Sequence, residues 1–275
     1  MRRLFPVTDQ TAPGTPADLP VGAEGAGREW TLDELADAYA YPEYAGGEGP
    51  EGGRAVLRAN MVSTLDGAAH HDGLSHALSS DADMRIFGTL RGLADAVVVG
   101  AETVRREGYR PARAREAFAA RRAAAGQTPA PAIAVVTAGL DLDLAAPLFT
   151  APSVPTLVLT GAAAPRDRVH AAEKAGAVVI VAGEGAGVDP ARAVRALAER
   201  GLVRLLTEGG PRLLGQFVAA GVLDELCLTL SPTLTAGDAQ RIAGGPAVAV
   251  PERFALASLL EQDGFLFTRY HRVRQ

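Results

Sequence analysis

The chain has 275 residues, a formal net charge of −5, 48% hydrophobic and 21% charged residues, and one cysteine. Its 27 Lys+Arg against 32 Asp+Glu leave no cationic footprint for a phosphodiester backbone or an anionic lipid surface, so neither nucleic-acid nor membrane binding is expected. Cys227 alone can build neither an internal disulfide nor a cysteine-rich zinc site, which points to a reducing compartment, with the cytoplasm as the simplest address.

The first 53 residues hold nine glycines and six prolines and read as a flexible arm, leaving residues 54–275 as the folded domain. One periodic patch interrupts the arm, Trp30 to Tyr41, where Thr31 is the expected helix cap and Glu34 completes a capping box. Arg2 and Arg3 are followed by no continuous apolar stretch, so Met1 to Gly22 does not read as a secretory signal. From Arg54 onward, short β-branched runs alternate with Ala-, Leu- and Arg-rich amphipathic segments, the pattern of an open α/β sheet with mostly parallel strands flanked by helices. The predicted strands are Ala55–Val62, Asp95–Gly100, Ile133–Thr137, Thr156–Thr160, Val178–Ala182, Val203–Thr207 and Asp224–Ser231, with Gly264–Arg272 last. Helices are predicted near Asp81–Leu93, where Ser80 and Asp83 have capping-box spacing, and near Arg166–Ala175, Pro190–Arg200 and Pro211–Ala220. The Ala-rich stretch Ala114–Ala125 reads as a solvated helix or an insertion. The 22 uncharged residues Leu144 to Pro165 are long enough to span a bilayer, but Pro147, Pro152, Pro155 and Pro165 make them loop and strand. The final run follows no helix and opens at the Asp263-Gly264 turn signal, so an antiparallel edge or hairpin is expected there.

Three segments carry candidate chemistry. The first, Asn60 to Gly67, runs as a strand into Asp66-Gly67, with Asp72-Gly73 following. Turn chemistry alone makes these two turns around a short hairpin with His70 and His71 facing solvent; a strand-end position would put Asp66 where open α/β sheets bind ligands. In the second, Ala94 to Arg105, a buried strand ends in Gly100 before a short helix whose backbone amides, with Thr103, can hold a phosphate. In the third, Leu205 to Gly215, a strand ends in Glu208, a glycine pair lets the backbone approach a ligand, and Pro211 opens a helix. Gly183 to Gly187 has G-x-G-x-G rather than G-x-G-x-x-G spacing and reads as a plain loop. There is no Walker A lysine, no G-x-S-x-G and no H-E-x-x-H, and H-x-E with P-C-x-x-C, the zinc deaminase signature, is missing too. No metal site is expected.

Taken in order, Ser63 to Gly67, Asp95 to Arg105 and Thr207 to Gly215 with Gly221 to Pro232 resemble the reductase domain of the riboflavin-pathway deaminase-reductase, over about Arg54 to Arg272. The resemblance implies a dihydrofolate-reductase-like fold and a homodimer. It implies reduction, by NADPH, of a phosphorylated aminopyrimidine of the 5-amino-6-(5-phosphoribosylamino)uracil type, with hydride transfer to the sugar C1′ of an imine formed by ring opening. It puts the cofactor against Val62, Gly100, Thr103, Glu107, Thr137 and the turn Gly209, Gly210, Pro211, Arg212, Leu213, Leu214, Gly215 and Gln216. Substrate falls to Ser75, Arg91, Arg110 and Glu208: the arginines offer forked donors to its phosphate, and Glu208 accepts from pyrimidine amines. Asp66 and Glu208 are the catalytic candidates, Asp66 either positioning ring or hydroxyl groups or shaping the turn, and no general acid is identifiable. Two alternatives stay open: a dihydrofolate, pterin or other small-molecule reductase of the same fold, and a non-catalytic NADP-binding protein.

Overall fold

Strands buried on both faces need apolar side chains at every position, and the central runs of this chain supply them. A computed structural model describes residues 1–5, 29–42 and 54–274. Among these residues one sheet contains β1 (Arg2–Phe5), β2 (Val56–Ser63), β3 (Ala96–Gly100), β4 (Ala132–Val136), β5 (Leu157–Thr160), β6 (Val178–Val181), β7 (Arg204–Thr207), β8 (Glu225–Leu230), β9 (Phe254–Gln262) and β10 (Phe265–Arg272). The spatial order is β1-β9-β10-β8-β2-β7-β3-β4-β5-β6. From β8 to β6 all neighbours are parallel, so the carboxyl ends of β2, β7 and β3 open on one edge.

The helices are α1 (Leu32–Ala38), α2 (Asp81–Leu93), α3 (Ala101–Arg106), α4 (Glu116–Ala124), α5 (Pro147–Thr150), α6 (Arg166–Lys174), α7 (Pro190–Ala198) and α8 (Pro211–Ala219). Alternate strand residues feed two cores. Val97, Val99 and Leu206 pack under α1, α2 and α4 to α6, whereas Ala96, Val98 and Leu205 pack under α7 and α8. None of these helices is long and apolar enough to cross a membrane. The Ala-rich stretch is α4, anchored by buried Phe118 and Arg122. The uncharged run Leu144 to Pro165 holds β5 as expected and also the short α5, whose Pro147 sits at the first helical turn where its missing N–H is harmless.

The expected antiparallel edge is three strands deep. β10 lies between β8 and β9, and β1 covers β9, so the last strand is not itself the border. Asp263 and Gly264, at φ +54° and +82°, make the β9–β10 turn as the Asp-Gly signal requires.

Both described pieces of the first 53 residues belong to this fold. Met1 is 5% exposed in the core under α1 and α2. Thr31 and Glu34 form the capping box of α1, and a buried charge cluster holds the helix's other end. Arg58, fully buried on β2, and Arg269 on β10 both meet Glu225, with Arg58 Nε at 2.6 Å from Glu225 Oε1 and Arg269 Nε at 2.8 Å. Their remaining donors reach backbone carbonyls at the end of α1, Arg58 Nη1 to Tyr39 at 2.7 Å and Arg269 Nη1 to Ala38 at 2.7 Å. Cations are favoured where helix carbonyls are left free. Arg58 also lies over the Tyr41 ring at 4.0 Å, and the Tyr41 hydroxyl donates to the Leu205 carbonyl at 3.0 Å. Burial works to raise the pKa of Glu225, but Arg58, His271 and Arg269 prevail and hold it below its ordinary 4.5.

Glu225→Ala strands two buried guanidinium groups and is expected to destabilise the fold by about 3–5 kcal/mol in chemical denaturation. Because the native pKa is depressed, the stabilisation by Glu225 is fully present above the ordinary carboxylate range and is lost as pH falls towards the native pKa. The wild-type advantage over Glu225→Ala should therefore shrink on acidification; a gap that stays constant with pH would refute this account of the cluster.

Candidate functional site

The carboxyl ends of β2, β7 and β3 open into a cleft of about 450 Å³, the usual ligand position in an open α/β sheet. Asn60, Met61 and Val62 of β2 line it, and so do Asp83, Phe87 and Arg91 of α2, which recur every fourth residue and share one helix face. Residues between Ala69 and Ser79, α3 with the stretch after it, Glu208 with the turn Gly210-Pro211, and Gln240 complete the walls.

Arg91 and Glu208 are joined at the centre. Arg91 Nε donates to Glu208 Oε1 at 2.6 Å and Nη2 to Oε2 at 2.6 Å, a two-pronged match of guanidinium and carboxylate. The Tyr109 hydroxyl donates to Glu208 Oε2 as well. The Arg91 guanidinium lies over Phe87 at 4.4 Å and Tyr109 at 5.4 Å. Burial disfavours charge on Arg91, but Glu208 outweighs it and keeps the guanidinium protonated. Burial, followed by the charge of Glu208, pushes the Tyr109 phenol well above its ordinary value and keeps it a donor. The forks that the sequence would offer to a phosphate thus include one, Arg91, that is turned onto Glu208.

The glycine turn exposes backbone to the cleft. Gly209 has φ +82°, a conformation suited to glycine, and the Gly209–Gly210 peptide is cis. The Gly100 N–H donates to the Gly209 carbonyl at 2.9 Å, so the ends of β3 and β7 are tied together. A Cβ on Gly210 would stand 2.6 Å from Thr103 Oγ1. Neither α3, which follows Gly100, nor α8, which follows Gly210, has a side-chain cap on its first N–H groups.

Of the other residues singled out in the sequence, Val62, Thr103, Ser75, Glu107, Arg110 and Pro211 line the cleft. Glu107 accepts from both the backbone N–H and the hydroxyl of Ser75 at 3.3 Å. Arg110 is exposed and has no ion-pair partner among the described residues. Arg212 and Gln216 lie outside the lining, while Leu213 and Leu214 are buried in the core under α8. Gly215 is occupied by close packing, since a Cβ there would meet the Gly244 carbonyl at 1.6 Å. Thr137 Oγ1 accepts from Leu140 N at 3.0 Å in the turn after β4, outside the lining. Asp66 also lies outside: its carboxylate accepts from the Thr64 hydroxyl, from Ala236 N at 2.7 Å and from Thr235 N at 3.2 Å, binding two loops together. The Thr64 hydroxyl and then the Ala236 N–H hold its pKa below the ordinary value.

His70, expected to face solvent, is half-buried in the cleft wall because Ala69 N donates to the Gln240 carbonyl at 2.8 Å and turns the loop inward. Sequence reasoning assigned no ligand contact to Asn60, Asp83, Phe87 or Tyr109. The spacing of Asp83, Phe87 and Arg91 was the available signal for the α2 residues.

Residues 55–263 match the family model described as the RibD C-terminal domain. The chain belongs to this family. A relative from Aquifex aeolicus named 2,5-diamino-6-ribosylamino-4(3H)-pyrimidinone 5′-phosphate reductase is 32% identical over 149 residues, 54% of this chain and 62% of the relative's own length. A relative of the same name from Archaeoglobus fulgidus is 26% identical over 226 residues, 80% of this chain and all of the relative. The solved structure of a pyrimidine reductase-like protein from Corynebacterium diphtheriae has a TM-score of 0.76 at 26% identity, covering 88% of this chain and 99% of that one.

The Arg91–Glu208 pair acts as a unit, so Arg91→Ala and Glu208→Ala should destabilise less together than the sum of each alone. A double-mutant cycle by denaturation is expected to give a coupling of about 0.5–3 kcal/mol, and additive losses would contradict it. Tyr109→Phe removes one donor to a charged acceptor and is expected to cost about 1.5–3 kcal/mol.

Proposed function

We propose that this chain is an NADPH-dependent reductase of a ribosylaminopyrimidine 5′-phosphate, a reading carried by the juxtaposition of the bare Gly210 backbone and the anchored Glu208 carboxylate in one cleft. Family membership and the names of the relatives support it. The resemblance adds a homodimer, and the single cysteine adds a reducing, cytoplasmic setting.

The residues present fit a dinucleotide. A side chain at Gly210 would collide with Thr103 Oγ1, so the position is kept open, and the uncapped N–H groups of α8 beside it are donors suited to a pyrophosphate. Thr103 adds a hydroxyl in the lining. When bound, the nicotinamide supplies a hydride.

The chain's own residues bind and orient the substrate. Glu208, fixed by three donors, keeps lone pairs for amino groups of the pyrimidine. The Asn60 amide has no hydrogen-bond partner among the described residues and offers both a donor and an acceptor to the ring. In this reading Arg91 positions Glu208, and exposed Arg110 takes the phosphate. Met61, Val62, Met84 and Phe87 give the cleft apolar walls that limit water around the reacting carbon.

The test is NADPH oxidation by the purified, folded chain with the diaminopyrimidinone phosphate named for the relatives and with its deaminated uracil counterpart, dihydrofolate serving as comparison. Oxidation with either pyrimidine is expected; oxidation with neither sinks the reading. Arg110→Ala should weaken phosphorylated substrate by about 1.5–3 kcal/mol, seen as a raised KM, and leave the KM for the dephosphorylated ribosylaminopyrimidine unchanged. An equal rise for both would remove Arg110 from the phosphate site.

A further inference from the structure

Ser80 and Asp83 stand at capping-box spacing, yet only half of the box forms. The Ser80 hydroxyl accepts from Asp83 N at 3.2 Å, but the Asp83 carboxylate does not return to Ser80 N. It accepts from Ser79 Oγ at 2.5 Å through one oxygen and from Thr229 Oγ1 at 2.6 Å through the other. Thr229 is the register neighbour of Val62 on β2, so the carboxyl is held beside the strand pair that floors the cleft, and Asp83 lines that cleft while 7% exposed. It is two helical turns from Arg91, about 12 Å along the helix axis. Glu208 at one end and Asp83 at the other thus bracket the space for a pyrimidine and its pentose.

Resting on the reductase reading above, we propose that Asp83 is the general acid that opens the pentose ring. The Asp83 carboxyl gives its proton to the ring oxygen as the C1′–O4′ bond breaks and its electron pair goes to that oxygen. The glycosidic nitrogen's lone pair forms the C1′=N bond of an iminium that keeps its own N–H. Hydride from the bound nicotinamide then adds to C1′, the C=N pair returns to nitrogen, and the product carries a C1′ methylene, a free hydroxyl and a secondary amine. One proton and one hydride are consumed, and the Asp83 carboxylate is reprotonated from water.

The other groups of the cleft are less suited. Glu208 is held by Arg91 and Tyr109, and the Tyr109 hydroxyl is engaged in donating its hydrogen bond to Glu208. Glu107 is exposed and bound to Ser75. From the same flank come Arg106 and Arg110, whose guanidinium groups suit the binding of an anion. The loop above α2 brings exposed His76 and half-buried His70. Among the described residues Asp83 bonds to no cation, and burial outweighs its two hydroxyl donors in raising its pKa above the ordinary 3.8. A carboxyl so placed retains its proton to higher pH, as a general acid must.

Asp83→Asn keeps an acceptor for one of the two hydroxyls, lets the other accept from the amide N–H, and removes the acidic proton. It is expected to lower kcat by about 10²–10⁴-fold, with NADPH affinity and melting temperature unchanged, and to abolish the alkaline limb of the kcat/KM profile. Asp83→Ala should recover turnover in added formate, in proportion to the protonated acid. In the wild-type chain, which needs no variant to fold, the Asp83 side-chain carbon-13 resonance should titrate above the ordinary carboxylate range. Wild-type turnover with an unchanged Asp83→Asn rate and profile, or an Asp83 resonance titrating at or below that range, overturns the role of Asp83 alone. No wild-type turnover with either pyrimidine overturns the reductase reading and this step with it.

Discussion

The fork between Arg91 and Glu208 sets the layout of the cleft. Its members are 117 residues apart, one on α2 and one just past β7, so the pair ties a helix to the centre of the sheet at the edge where parallel strands end. A buried carboxylate without a partner is costly, and here the guanidinium with the Tyr109 hydroxyl meets that demand before any ligand arrives. Glu208 is therefore a fixed acceptor, and preorganised acceptors need little reordering when a ligand binds. With Arg91 spent in this way, capture of an anion passes to arginines at the rim and to backbone N–H groups. In a chain of net charge −5, few cations remain for that purpose.

A second charge cluster does comparable work at a distance. Glu225 bridges Arg58 and Arg269, whose other donors hold the carbonyls that end α1. α1 in turn packs on α2, the helix that carries Asp83, Phe87 and Arg91. The segment around Thr31 thus bears on the cleft through α2, without lining it.

The sheet's interior could be read from sequence because β3 and β4 are buried on both faces and spell this in unbroken apolar runs. The strand β9 escaped that reading. Its Phe254 to Gln262 are mostly half-buried, with Leu260 alone fully buried, and its ladder partners β1 and β10 are distant or later in sequence. Strand β1 is exposed at all its positions and exists by pairing rather than by pattern. At the cleft, the segments that approach a ligand were legible as glycine turns after strands. Partner choice was not. Nothing local tells that Arg91 will meet Glu208 instead of solvent, or that Gly215 will be filled by the Gly244 carbonyl, because each depends on a residue brought in by the fold.

Two aspartates make the point most clearly. By sequence Asp66, after a strand in an Asp-Gly turn, resembles a ligand-facing acid, and Asp83, three residues after Ser80, resembles part of a helix cap. The fold exchanges those roles. Asp66 receives a hydroxyl and two backbone N–H groups in an exposed loop, donors that favour its ionised form and leave it no part in the cleft wall. Asp83 loses the cap's return bond, is drawn under the cleft by Thr229, and meets burial without a cation, which favours its protonated form. When environments push two carboxyls of one type in opposite directions, their chemical duties separate accordingly. The duty follows the partner set, and in this chain that set is assembled by β8 and α2 from residues 146 positions apart.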